Sequence, residues 1–130
     1  MTKSRNIQIK EQFVSAVFAG DGDTIRALAD AAFELHEGSG LPFSGTYRGA
    51  EGFLEFLGIF NQTFDIERLE PVRAYESEDS NWIAFEFDLR ATVRQTGQLF
   101  ESTLVEIWNF KDGKVVSIKP HYFNSVLCKR

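Results

Sequence analysis

The feature that most limits what this chain can become is a change of period at Asp65. Before it, apolar residues recur every three or four positions; after it, apolar and polar residues alternate almost to the end. The first spacing buries one stripe of a helix, and the second buries one face of a strand. The chain therefore reads as helices followed by a long antiparallel meander, the α+β pattern in which helices cover one face of a curved sheet.

Local signals place the elements. Ile9, Phe13, Val17 and Val14, Phe18 step by four and predict a first helix that stops at Gly20, a residue suited to a left-handed helix end. Asp21-Gly22-Asp23-Thr24 offers capping oxygens to a shorter helix carrying Ile25 and Leu28, after which Phe33-Glu34-Leu35-His36 turns extended. Gly38 to Pro42 is a turn cluster, and Gly45 and Gly49 frame Thr46-Tyr47-Arg48. Phe53, Phe56, Leu57, Phe60 and Phe64 then form the stripe of a third helix. Four strands are predicted beyond it, over Ile66–Ser77, Trp82–Arg94, Leu99–Phe110 and Val115–Leu127. Hairpin signals stand at Gln95-Thr96-Gly97 and Asp112-Gly113, and Pro71 predicts a bulge or an edge position.

The length of 130 residues has room for one domain, spanning 1–130. Thirteen phenylalanines exceed what closing so small a core requires, so the rings either line an apolar cavity or make an unusually Phe-rich core. A net charge of -5 without a Lys/Arg cluster excludes nucleic acid and anionic membrane as expected partners. Met1 to Asn6 leads into an amphipathic segment without the apolar core of a signal peptide, and the expected location is cytoplasmic. Cys128 is the single cysteine and has no partner for a disulfide or for nucleophilic chemistry. Scattered carboxylates and two histidines lack metal-ligand spacing, so neither metal nor cofactor is expected.

Three strings carry a resemblance over nearly the whole chain: Phe18-Ala19-Gly20-Asp21, Gly45-Thr46-Tyr47-Arg48-Gly49, and Glu106 to Val115 around the last hairpin. Their order and spacing resemble the ketosteroid isomerase and SnoaL-like superfamily, also called nuclear-transport-factor-like. The resemblance implies a cone-shaped domain in which three N-terminal helices and a curved antiparallel sheet enclose a pocket. It also implies a homodimer paired through the outer sheet face. Ketosteroid isomerases carry a general-base carboxylate at the end of the first strand, where the resemblance puts His36, and a histidine also suits base chemistry near neutral pH. Their two oxyanion donors match Phe13, which cannot donate, and Glu106. Loss of one such donor costs about 2.7–4 kcal/mol in the transition state, which disfavours steroid isomerisation by that route. SnoaL-like cyclases carry a titratable group near a string matching His121-Tyr122-Phe123-Asn124, with Asn124 standing where a carboxylate is usual.

Strand phase sets Glu106 on one face with Leu104, Trp108 and Phe110, where burial favours a protonated, donating carboxyl group. The expected catalytic set is His36, Glu106, His121 and Tyr47, and the expected pocket wall is Phe13, Val17, Phe53, Leu57, Phe60, Trp108, Phe123 and Asn124. Packing or hydrogen-bonded surface roles compete at His36, His121 and Tyr47. The leading function is proton transfer on a small apolar, oxygen-bearing molecule by an isomerase, cyclase or dehydratase. A non-catalytic module holding a hydrophobic ligand is the alternative. A third reading, an epoxide hydrolase-like Asp-Arg-Asp site, meets the right residue types at Glu86-Asp88-Arg90, but on the face opposite Phe85 and Phe87.

Overall fold

The computed structural model describes residues 4–124; Cys128 and the last predicted strand residues lie outside them. Three helices, α1 (Arg5–Ala19), α2 (Gly22–Leu28) and α3 (Gly49–Thr63), accompany six strands, β1 (Ala29–Glu37), β2 (Gly45–Arg48), β3 (Phe64–Glu76), β4 (Trp82–Val93), β5 (Leu99–Lys111) and β6 (Lys114–Tyr122). The Ser4 hydroxyl accepts the Ile7 N–H at the start of α1, and Gly20 ends it at φ 69°. Asp21 opens α2 by accepting from the Thr24 N–H at 3.1 Å. No helix among the described residues is long and apolar enough to cross a membrane.

The strands form one curved, unclosed sheet in the order β2-β1-β6-β5-β4-β3. The expected meander is present, but the sheet is mixed and not wholly antiparallel. β1 pairs with β6 in parallel, Leu35 lying opposite Ile118. Alternation within a strand carries no information on how two strands far apart in sequence will be paired, and only hairpin neighbours are bound to be antiparallel. β2 was not predicted. Its four residues sit between Gly45 at φ 123° and Gly49 at φ 70°, too short a stretch for a period to show. At the other end β6 stops at Tyr122; one further backbone bond runs from the Phe123 N–H to the Thr103 carbonyl at 3.0 Å, and the Asn124 side chain donates to the Glu101 carbonyl. Pro71 meets its prediction, with a register shift between Pro71 and Arg73 on an edge strand.

The inner sheet face is continuous with the core. Ile83, Phe85, Phe87, Leu89, Ala91 and Val93 alternate inward along β4 and meet the buried stripes of α1 and α3, where Phe13 packs on Phe53 at 5.1 Å and edge-on to Trp108 at 5.4 Å. The outer face is ionic. Arg68 pairs with Asp88 at 3.2 Å, Arg73 with Glu86 at 3.2 Å, and Arg90 with both Glu67 at 3.1 Å and Glu101 at 2.8 Å. The Glu86-Asp88-Arg90 row is thus engaged across the outer surface, on the far side of the sheet from Phe87.

Candidate functional site

Between α1, α3 and the inner sheet face lies a cavity of about 220 Å³. Voids of about 150 Å³ hold benzene, and drug-sized pockets run to about 300–1,000 Å³, so this volume suits a small ring-bearing molecule. Phe13 and Val17 on α1, and Phe53, Leu57 and Phe60 on α3, form one wall, with Trp108 opposite on β5. All six were expected there. Into this apolar enclosure open two carboxyl groups, Glu37 from β1 and Glu106 from β5, together with Tyr122 from β6.

The polar groups are sparsely partnered. Glu106 Oε1 accepts from the Trp108 indole N–H at 3.0 Å, and the residue lines the cavity. Glu37 is 7% exposed; the Tyr122 hydroxyl donates to its Oε2 over 3.4 Å, while Oε1 has no hydrogen-bond partner. Burial, reinforced by the nearby Glu106 charge, pushes the Glu37 carboxyl up to about 8. Burial likewise lifts Glu106 to about 7, against the opposing pull of the Trp108 hydrogen bond and the Lys10 charge. Burial and the two carboxylates hold the Tyr122 phenol well above its usual range.

The SnoaL-like domain model matches residues 11–118. The chain belongs to the SnoaL-like family. Solved structures of the same fold include an NTF2-like protein from Burkholderia xenovorans LB400, 22% identical over 100% of this chain and 97% of that one with a TM-score of 0.83. An NTF2-like protein from Burkholderia thailandensis E264 is 21% identical over 98% of this chain and 96% of that one, with a TM-score of 0.82. TerC co-crystallised with polyporic acid is 20% identical over 98% and 100% of the two chains, with a TM-score of 0.80. No curated protein matches.

Within this SnoaL-like domain the other expected site residues stand away from the cavity. His36 alternates with Leu35 and Glu37 along β1 and so points to the opposite face, where Nδ1 lies 3.2 Å from Thr46 Oγ1 and Nε2 3.2 Å from Glu34 Oε1. Glu37, one residue further along β1, lines the cavity instead. Tyr47 donates its hydroxyl to the Phe43 carbonyl at 2.9 Å and sets its ring against Phe56, outside the lining. His121 is exposed because Pro120 and Tyr122 on either side of it take the inward positions. Phe123, 87% exposed, and Asn124, held to the β5 backbone, follow the end of β6 and do not reach the lining. The missed residues carried a usable signal. Phe33, Leu35 and Glu37 alternate as Leu104, Glu106 and Trp108 do, and Ile118, Pro120 and Tyr122 repeat the pattern. Among the described residues no three His, Cys, Asp or Glu side chains converge to hold a metal.

Two carboxyl groups with raised proton affinity make folding take up protons. Both ionise near 4.5 in the unfolded chain, so their stabilisation is full below that pH and is lost as pH rises through about 7 and about 8. Urea unfolding is expected to show stability falling by a few kcal/mol in total between about pH 5 and 8.5, and Glu37→Gln should remove most of that slope. Asp21, Glu51, Glu67 and Asp79, held low mainly by hydrogen bonds, act in the opposite sense only in acid, outside this window. A flat profile in the wild type would contradict the assignment.

Proposed function

We propose that this domain encloses a small, largely apolar molecule bearing a carbonyl or hydroxyl oxygen and moves a proton on it, as an isomerase, cyclase or dehydratase does. The observation that carries the reading is the opening of Glu37 and Glu106 into one apolar cavity with proton affinities near neutrality. A general acid or base works best when its pKa lies close to the working pH. Phe13 supplies no oxyanion donor from α1, but a protonated carboxyl group supplies one from the sheet, and the Tyr122 phenol, which lines the cavity, donates to Glu37 beside it. The polyporic acid complex of TerC supports an oxygen-bearing ring compound as the class of ligand.

The test needs no knowledge of the natural substrate. Cyclic and aryl ketones are incubated with the protein in D₂O, and exchange of the protons beside the carbonyl is followed by NMR. Accelerated exchange with at least one ketone is expected, together with its loss in the Glu37→Gln/Glu106→Gln double variant. Ketones that bind in the cavity without exchange would leave a hydrophobic-ligand module without chemistry.

We also propose that two copies pair through the outer sheet face, where Tyr75, Trp82 and Leu99 are exposed beside the ion-pair lattice. Sedimentation at micromolar concentration should give twice the single-chain mass; a single-chain species alone would reject the pairing.

A further inference from the structure

Lys10 lies on the buried stripe of α1 beside Ile9 and Phe13 and is 7% exposed. Lysine is almost never so buried unless its charge is compensated, because the ammonium surrenders its hydration. Its Nζ stands 4.6 Å from the ring centroid of Phe85 and 5.1 Å from that of Phe87, over their electron-rich faces. Phe85 is the cross-strand partner of Glu106, so the ammonium hangs above the position next to Glu106 on the inner face of the sheet. Its charge acts on Glu106. Glu37 is influenced by Glu106 and the Tyr122 hydroxyl, and neither is a cation.

We propose that Lys10 is a positioning residue that decides which carboxyl group of the cavity carries the negative charge, placing it on Glu106 and leaving the proton on Glu37. The proposal rests on reading the cavity as a proton-transfer site. The groups facing Glu106 agree with it: Lys10 from α1 and the Trp108 N–H from its own strand favour the carboxylate, whereas Glu37 from β1 opposes a second charge. Tyr122 from β6 donates to Glu37, β4 contributes Phe85 and Phe87, and α3 brings no ionisable side chain to the lining. Glu106 is then the base. A C–H bond beside the substrate carbonyl breaks as an O–H bond forms on Glu106, and Glu37 gives its proton to the carbonyl oxygen, producing an enol. Where the substrate also carries a carbon–carbon double bond beyond that C–H, the enol is a dienol; return of the Glu106 proton to the far end of that double bond, and of the enol proton to Glu37, brings the double bond into conjugation with the carbonyl with no further reactant.

The test is a carbon-13 NMR titration of the glutamate side-chain carboxyls, with the signals assigned through Glu37→Gln and Glu106→Gln. In Lys10→Met the Glu106 step should rise by about one pH unit or more, the usual effect of removing a close opposite charge, and Lys10→Arg should restore it. A folded Lys10→Met variant with an unmoved Glu106 step would overturn the proposal. If Lys10→Met does not fold, the Lys10 Cε signal is followed instead. Its midpoint should fall by about one unit or more when Glu106→Gln removes the partner, and an unmoved midpoint would overturn the proposal equally. Wild-type steps near 4.5 for both carboxyls would remove the proton-transfer reading itself, a result distinct from a failure of Lys10 alone.

Discussion

Glu37→Gln is expected to lower the turnover of any substrate that the domain isomerises by about 10²–10⁴-fold, the contribution of one positioned acid or base. The change keeps the size of the side chain and removes only its transferable proton, so KM should move little. Stability should move the other way. A buried carboxyl that resists ionisation weakens the fold above neutral pH, and a neutral amide in its place should raise the urea midpoint at about pH 8. Rate loss combined with a stability gain is the mark of a group kept for chemistry and not for packing. A variant that retains wild-type turnover would remove Glu37 from the mechanism.

Trp108→Ala is expected to cost about 3–5 kcal/mol of stability, the range for deleting a large buried ring. Trp108 is 2% exposed and packs against Phe13 at 5.4 Å, Phe85 at 5.5 Å and Phe110 at 5.9 Å, so its removal opens a void where α1 meets the sheet. Equilibrium unfolding in urea reads the loss, and a loss below about 1 kcal/mol would contradict the packing described. Trp108→Phe separates the two roles of the residue. It keeps an aromatic ring in place but deletes the indole N–H that Glu106 accepts, so proton uptake by Glu106 should shift to higher pH with much less loss of stability.

Periodicity made the helical layer and most of the sheet legible. The four-residue steps of α1 and the stripe of α3 identified Phe13, Val17, Phe53, Leu57 and Phe60, because a helix that must cover a sheet has one face to give. The same logic of phase found Glu106 between Leu104 and Trp108. The alternation of Phe33, Leu35 and Glu37 carries the same information at the end of β1, whereas the family resemblance points one residue earlier, to His36. A shift of one residue in a strand exchanges cavity for solvent, which is why His36 and Glu37 have opposite surroundings. Lys10 gave no such warning, since a lysine in an amphipathic helix normally faces water. Its burial follows from how α1 sits over Phe85 and Phe87, a tertiary fact that no local pattern encodes.

The parallel pairing of β1 with β6 also bears on the order in which the site comes into being. Glu106 belongs to a local meander, whereas Glu37 reaches it only when a strand near the start of the chain meets the last strand of the sheet, as Leu35 meets Ile118. Such distant contacts close late, after the loop entropy between them has been overcome. A chain emerging from the ribosome thus holds its two acids apart in water until β6 has been made. The apolar surroundings that raise the proton affinity of Glu37 therefore come with the docking of β1 on β6, and not with the meander that carries Glu106.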